Sequence, residues 1–191
     1  MEKVRTFIAI KLSPEIISKI SGVQEELKRT DAKVKWVKPK NIHLTLKFLG
    51  HITSEELEKV KIAIRETLKP FRPFGISISG LGAFPKIEYP RIIWLGVDEG
   101  KEELKRMASN LEERLAQIGF AKEKREFSPH LTLGRVKSQK EKGGLTEALT
   151  NTEASHLGSM RVTKLSIVKS ELKPQGPIYT SLEEISLSGK S

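Results

Sequence analysis

Strand-like alternation and helix-like periodicity follow one another along this 191-residue chain. Ile76 and Ile78 alternate with serines, whereas Leu57, Val60 and Ile64 recur at helical spacing. The first part of the chain is predicted to form, in order, a strand over 5–10, a helix over 13–29, strands over 34–37 and 42–49, a helix over 53–69 and a strand over 74–81. This order is typical of a mixed α and β domain.

The same order of elements restarts near Arg91. The second part is predicted to form a strand over 91–97, a helix over 101–118, a strand within 120–136, a helical stretch over 145–155, and strands over 162–172 and 178–187. Duplication of a β-α-β-β-α-β unit, over approximately 5–81 and 91–172 with a closing strand over 178–187, explains the repetition. Residues 82–90 are expected to cross between lobes, and the polar loop 137–144 is the best candidate for a mobile segment.

From this repetition we expect two related lobes that face each other. Residues 1–191 would form a single bilobal domain with pseudo-twofold symmetry and a central cleft between two antiparallel sheets. The length suits one sizeable core or two small interdependent lobes. Trp36 and Trp94 lie in apolar strand context and are expected in the core.

The tetrapeptide His-Leu-Thr-Leu occurs twice, at 43–46 and at 130–133. Because alternate side chains of a strand point to opposite faces, the histidine and threonine of each copy share one face and the leucines the other. A single copy would more simply be a half-buried strand with two polar residues in solvent. Two identical copies at corresponding places of the repeat favour a shared site.

Lobes that face each other would bring His43 and His130 to opposite walls of one cleft. An imidazole titrates at about pH 6.5 when unperturbed, so two of them can serve as base and acid at neutral pH. The hydroxyls of Thr45 and Thr132 can donate hydrogen bonds to the non-bridging oxygens of a phosphodiester. The pattern therefore favours phosphodiester hydrolysis, with one histidine taking a proton from water and the other protonating the leaving oxygen.

The net charge of +10 and the pI near 9.7 favour a polyanionic partner. Basic residues flank both motifs, namely Lys33, Lys35, Lys38, Lys40 and Lys47 at the first and Lys122, Lys124, Arg125, Arg135 and Lys137 at the second. Solubility or heat resistance would explain the total charge equally well, so the clustering is the stronger argument for a polyanionic partner.

Several classes are excluded or disfavoured by what the sequence lacks. Without cysteine there is no disulfide, thiolate nucleophile or cysteine-ligated metal. His51 and His156 match no motif, and no His-x-x-x-His pair indicates zinc. No apolar run is long enough to span a bilayer, and the N-terminus carries no signal-peptide pattern. We expect a cytoplasmic monomer without membrane association, metal or cofactor.

The paired motifs resemble those of the 2H phosphoesterase superfamily, and most specifically its branch of RNA 2′,3′-cyclic phosphodiesterases, also called 2′-5′ RNA ligases (ThpR/LigT-like). The similarity extends over nearly the whole chain, through residues 5–10, 13–14, 43–50, 129–135, 170–172 and 176–179. It implies a bilobal α+β fold and metal-independent hydrolysis of a 2′,3′-cyclic phosphate at an RNA end to a 2′-phosphate. Reversible 2′-5′ ligation of tRNA halves is implied as a side activity.

The resemblance also implies roles for the motif residues. His43 would be the proton donor to the departing 3′ oxygen, His130 the proton acceptor that activates water, and Thr45 and Thr132 would hold the phosphate oxygens. Because the reverse reaction exchanges the two proton transfers, the assignment of acid and base depends on the family likeness alone.

Three more residues are candidate substrate-binding residues. Arg135 matches an arginine of that family and would neutralise the phosphate. Strict alternation places it out of phase with the second motif, and a bulge at Gly134 or a strand end there would turn it toward the cleft. Lys47 shares the parity of the first motif and is expected to touch phosphate. Phe48 could stack on a base, although alternation favours the core.

Two alternatives stay open. The same cleft could take a small cyclic nucleotide or an ADP-ribose cyclic phosphate, or the chain could be an RNA-binding module whose histidines are not catalytic. The basic flanks favour RNA over a small molecule. Intact histidine and threonine in both copies favour catalysis over binding alone.

Overall fold

The computed structural model describes residues 3–138 and 144–189. The strands are β1 (Val4–Lys11), β2 (Val34–Trp36), β3 (His43–Ile52), β4 (Phe74–Lys86), β5 (Tyr89–Val97), β6 (His130–Val136), β7 (Gly158–Val162), β8 (Lys164–Lys173) and β9 (Gly176–Ser186). The α-helices are α1 (Pro14–Leu27), α2 (Ser54–Leu68), α3 (Lys101–Gln117) and α4 (Leu145–Asn151). Of the expected mobile loop, residues 139–143 lie outside the described part of the chain.

The first two helices begin where their capping residues predict. The Ser13 hydroxyl accepts a hydrogen bond from the backbone N–H of Ile16 at 3.4 Å, and proline follows in the first turn of α1. At α2, Thr53 and Glu56 form a reciprocal capping box, in which each side chain accepts from the other residue's backbone N–H. Local sequence therefore suffices to place these helix starts.

The nine strands of the described chain form an antiparallel sheet in the order β7-β4-β5-β6-β3-β1-β8-β9, with β2 pairing on β6 outside this path. Strands β2, β4, β5, β6 and β7 make one lobe, and β1, β3, β8 and β9 make the other. The lobes meet at β6 and β3, whose pairing has a single registered pair, Leu44 with Leu131. The expected α+β class is confirmed, and the two lobes are continuous through this seam.

Each lobe combines strands from both predicted repeats. Strand β4 pairs with β5 and β7, and β8 pairs with β1. The expectation that residues 82–90 cross between lobes is wrong, because β4 continues to Lys86 and turns directly into β5 at Tyr89. Gly82, which suggested a loop, belongs to the strand: a Cβ there would lie 2.6 Å from Cη2 of the Trp94 ring. Glycine is needed there for close packing.

Helices cover one face of each lobe. Helices α2 and α3 pack together and against β9 and β3, while α1 and α4 pack against β7 and β4. The core between helices and sheet includes the fully buried residues Ile8, Ile10, Ile16, Ile20, Leu27, Leu44, Ile52, Ile64, Leu68, Ile76, Ile78 and Ile93. The other face of the sheet, called here the cleft face, carries the polar side chains of both motifs. No helix within the described residues is long and apolar enough to cross a membrane.

Candidate active site

The seam between the lobes brings the two motifs together. Leu44 and Leu131 are opposite each other and fully buried on the helix side, so the histidines and threonines beside them point to the cleft face. Continuing this register places His43 across from Thr132 and makes the two histidines diagonal neighbours, which in a regular antiparallel pair lie roughly 7–8 Å apart, with their Cβ atoms somewhat closer. The motifs were expected on opposite walls of a cleft. They are instead neighbours in one sheet, because β3 and β6 pair directly at the seam.

Each histidine is oriented by the same backbone contact. Nδ1 of His43 lies 2.6 Å from the carbonyl oxygen of Asn41, and Nδ1 of His130 lies 2.7 Å from that of Ser128. Because a carbonyl only accepts hydrogen bonds, Nδ1 carries the proton and Nε2 is left to exchange protons with a substrate. Asn41 is itself fixed, since its amide donates to the carbonyl of Pro177 at 2.9 Å.

Aromatic rings enclose His43. Its ring stacks on Phe7 with centroids 4.6 Å apart, and Tyr179 meets it edge-on at 5.3 Å. This burial lowers the pKa of His43, while the hydrogen bond to the Asn41 carbonyl acts in the opposite direction. His43 is therefore neutral at pH 7 in the free protein.

A second aromatic pair stands beside His130. Phe84 meets the His130 ring edge-on at 5.1 Å, and the ring of Trp94 lies 5.2 Å from Phe84. Trp94 is half-buried and pairs with Thr132 across β5 and β6, which places it on the cleft face. The expectation that Trp94 lies in the core is therefore wrong. Trp36 does pack against that core, as expected.

A β-bulge interrupts both motif strands at the same position. The register of β3 against β1 shifts at Leu46, and that of β6 against β5 shifts at Leu133. Residues beyond a bulge change face relative to strict alternation. Arg135 consequently shares the cleft face with Thr132, because both lie opposite residues on one face of β5.

The bulge of β6 is supported from the helix side. The fully buried amide of Gln24 on α1 donates to the carbonyls of Val37 at 2.9 Å and Leu133 at 3.0 Å. The backbone N–H of Val37 also donates to Leu133 at 2.8 Å. These bonds fix the carbonyl of the extra residue, and so the direction in which the following residues point.

Arg135 lies where it can reach a phosphate in the cleft. Burial raises the pKa of the Tyr179 phenol, and the positive charges of Arg5 and Arg135 act in the opposite direction. Both guanidinium groups therefore lie close to a ring that also contacts His43. The turn toward the cleft was expected at Gly134, and the bulge occurs one residue earlier.

The expectation that Lys47 touches phosphate is wrong. The bulge at Leu46 turns Lys47 to the helix side, where it is 4% exposed. Its ammonium donates to Glu112 Oε2 at 2.9 Å and to the carbonyl of Ala121 at 2.7 Å, and Glu123 lies 3.7 Å away. Lys47 ties β3 to α3 and to the segment that leads toward the second motif.

Phe48 is exposed rather than buried, contrary to the alternation. It is 58% exposed, and its ring lies 6.0 Å from that of Phe7 on the cleft face. The same bulge that buries Lys47 therefore presents Phe48 to the cleft. Its role in stacking on a base stays a prediction.

A cavity of about 510 Å³ opens beside His43. Its lining includes Phe7 and Tyr179 together with the cations Lys38, Lys40 and Lys173. His51 and His156 are exposed and do not line it. Among residues 3–138 and 144–189, no three side chains of the histidine, cysteine, aspartate and glutamate types come together as metal ligands.

Sequence reasoning missed four aromatic residues and one arginine near the site, namely Phe7, Tyr179, Phe84, Trp94 and Arg5. A signal was present for Phe7 and Arg5. By alternation along β1 they lie on the same face as Ala9, whereas the buried Ile8 and Ile10 lie on the opposite face. Tyr179 and Phe84 belong to the hairpins of β8 with β9 and of β4 with β5. Their approach to the histidines depends on the long-range pairing of β8 with β1 and of β5 with β6, which no local pattern could predict.

The site defines a class of protein before any comparison. Two imidazoles of the same tautomer, two hydroxyls and a guanidinium share one face of a sheet, which is the arrangement of a two-histidine phosphoesterase. The chain belongs to the family of LigT-like phosphoesterases: the family described as LigT like Phosphoesterase matches residues 10–94 and again residues 95–179.

Individual relatives agree with this membership. The RNA 2′,3′-cyclic phosphodiesterase of Methanothermobacter thermautotrophicus is 41% identical over 181 residues, which is 95% of this chain and 97% of that protein. The protein TT0787 of Thermus thermophilus has a TM-score of 0.80 at 28% identity, over 98% of this chain and 100% of that one. E. coli LigT complexed with 3′-AMP has a TM-score of 0.78 at 25% identity, over 98% and 99%. The resemblance inferred from the motifs is confirmed.

Proposed function

We propose that this protein hydrolyses the 2′,3′-cyclic phosphate at an RNA end to a 2′-phosphate without a metal ion. The observation that carries the proposal is the pairing of His43 and His130 as diagonal neighbours whose Nδ1 atoms are both held by backbone carbonyls. Relatives over nearly the full length are named RNA 2′,3′-cyclic phosphodiesterase, which supports the choice of substrate.

In the proposed reaction the scissile phosphorus lies between the two imidazoles. Nε2 of His130 takes a proton from water as the water oxygen forms a bond to phosphorus. The bond from phosphorus to the 3′ oxygen breaks, and Nε2–H of His43 delivers the proton that this oxygen needs. Each transfer contributes about 10²–10⁴-fold, and positioning and charge stabilisation supply the remainder.

The protonation of His43 follows from its environment. The free protein holds it neutral because burial lowers its pKa. A phosphate anion bound beside it favours the imidazolium, so the proton is taken up with the substrate. In the transition state the negative charge of the phosphate is spread over more atoms and stabilises the imidazolium less. The imidazolium in this apolar pocket then donates its proton readily.

The remaining groups hold the substrate. The hydroxyls of Thr45 and Thr132 and the guanidinium of Arg135 bind the non-bridging oxygens. Phe48 stacks on a base, which its exposed ring on the cleft face permits. The basic side chains around both motifs attract RNA.

The further parts of the proposal concern the cell. The physiological partners are RNAs with a 2′,3′-cyclic phosphate end, tRNA halves among them. When a 5′-hydroxyl attacks the phosphorus in place of water, the bond to the 3′ oxygen breaks and a 2′-5′ linkage forms. The protein acts as a cytoplasmic monomer. Ligation products with tRNA halves, and the sedimentation of the purified protein, test these points separately.

The decisive assay is turnover of an oligoribonucleotide with a 2′,3′-cyclic phosphate end in the presence of EDTA. We expect a 2′-phosphate product, a loss of at least about 10²-fold in His43→Ala and in His130→Ala, and wild-type rates in the matched exposed control His51→Ala. Metal-dependent turnover, or full activity in either motif variant, would refute the mechanism. Binding without turnover would instead identify an RNA-binding module.

One observation favours the alternative of a small substrate. The cavity beside His43, about 510 Å³ with aromatic and cationic walls, is of the size that takes a single nucleotide. Comparing kcat/KM for adenosine 2′,3′-cyclic phosphate and for the oligoribonucleotide decides between them. A preference for the mononucleotide would make the small cyclic nucleotide the substrate.

A further inference from the structure

A second cation stands beside Arg135 on the cleft face. In the pairing of β2 with β6, Lys35 lies directly opposite Arg135. Residues directly opposite each other in an antiparallel pair share a face, so Lys35 faces the same way as Arg135 and Thr132. Val34 and Trp36, its neighbours in β2, pack against the core on the other face.

This juxtaposition does not serve the stability of the sheet. Like charges directly opposite each other in neighbouring strands are destabilising. Within the described residues neither Lys35 nor Arg135 forms an ion pair with a carboxylate, although most lysines of the helices do. Two adjacent cations without a partner are compensated when anionic groups bind beside them.

The distance along the sheet separates this pair from the reacting centre. The scissile phosphate of the proposed function lies at the level of Leu131, which pairs with Leu95, while Arg135 pairs with Ile92. Three strand residues correspond to about 10 Å. The guanidinium of Arg135 extends toward the reacting phosphate. Lys35 lies at the level of Arg135 on the neighbouring strand β2, where a neighbouring phosphate of the same RNA can reach it.

We propose that Lys35 forms a second phosphate subsite, which binds the phosphodiester on the 5′ side of the terminal nucleotide. The inference rests on the proposed function and specifies its substrate class. An RNA end with at least one internucleotide phosphate fills both subsites, and a cyclic mononucleotide fills one. Lys35 thus contributes to the preference for RNA and leaves the chemical step unchanged.

The test compares two substrates, adenosine 2′,3′-cyclic phosphate and a triadenylate with a 2′,3′-cyclic phosphate end. Lys35→Gln should lower kcat/KM for the trinucleotide about five- to tenfold through KM, and should leave the mononucleotide within about twofold. The slope of log kcat/KM against log salt should become shallower by about 0.7 for the trinucleotide. Lys35→Arg should retain the preference, and the exposed matched control Lys101→Gln should behave as the unchanged protein.

Two results would overturn this subsite. An equal loss on both substrates would place Lys35 on the reacting phosphate, and no loss on either would make it a solvated surface charge. Absence of turnover of both substrates by the unchanged protein would refute the proposed function itself, and the subsite with it. Because Lys35 is exposed, each variant should unfold at the same temperature as the unchanged protein in a thermal scan.

Discussion

Replacing Lys47 by methionine should destabilise the fold without removing a substrate contact. The Lys47 side chain is 3% exposed, and its ammonium lies 2.8 Å from Glu112 Oε1 and 2.7 Å from the carbonyl of Ala121. Methionine keeps most of the volume of the lysine stem, so packing changes little. The variant chiefly removes the charge and its hydrogen bonds, and leaves a carboxylate without its partner.

The magnitude follows from the burial of that partner. Removing one member of a buried ion pair costs about 3–5 kcal/mol. Glu112 is 20% exposed and still accepts the backbone N–H of Glu123 at 3.2 Å, so water and this bond compensate part of its charge. We therefore expect a loss of about 3 kcal/mol. Adding Glu112→Met removes the unpaired charge and should return the stability to within about 1 kcal/mol of the wild type.

Urea unfolding at pH 7, followed by tryptophan fluorescence, measures both single variants and the double variant as a cycle. Lys59→Met is the matched control, because its ion pair with Glu55 is exposed to solvent and should contribute little to stability. Unchanged stability of Lys47→Met would refute the reasoning. If turnover of that variant also fell a hundredfold, Lys47 would instead contact the phosphate.

Four further predictions concern the site and its supports. Binding of inorganic phosphate at pH 7 should be accompanied by proton uptake, since burial lowers the pKa of His43 and an anion raises it. Calorimetry in buffers of different ionisation enthalpy measures the uptake, and identical heats in all buffers would contradict it. Because the pKa of His43 is lower in the folded than in the unfolded protein, its contribution to the free energy of unfolding is fully present above about pH 6.5 and is lost as pH falls through the folded-state pKa. In urea unfolding measured against pH, His43→Gln should therefore reduce the loss of stability at acid pH. Gly82→Ala should lower the free energy of unfolding by about 1–3 kcal/mol, because its methyl group would lie 2.6 Å from Cη2 of Trp94. Gly22→Ala, in open space on α1, should raise it by up to about 1 kcal/mol. Equal effects of the two substitutions on urea unfolding would be inconsistent with this packing. Gln24→Leu should cost about 1–3 kcal/mol and also lower kcat/KM, since the bulge that aims Arg135 loses its support; unchanged kcat/KM would separate the bulge from catalysis.

Much of the fold and the centre of the site follow from local pattern. The capping residues Ser13 and Thr53 fix helix starts, and alternation correctly assigns the motif histidines and threonines to one face and the leucines to the other. These features depend only on residues close in sequence.

The remainder depends on contacts that local pattern does not contain. Alternation fails beyond Leu46 and Leu133, because a bulge is stabilised by distant groups such as Gln24. That single shift explains why Lys47 is buried and Phe48 is exposed. The pairing of β8 with β1 across the two repeats is likewise long-range, and an internal repeat in sequence does not reveal it.

Combining His43→Ala with His130→Ala tests most directly whether the two imidazoles act on one phosphorus. Groups that act as a unit in one transition state show effects far from additive. If each single variant loses at least about 10²-fold in kcat on the cyclic-phosphate RNA in EDTA, the double variant should be little slower than the slower single. Losses that multiply in the double variant would show that the histidines act independently, and would contradict the account.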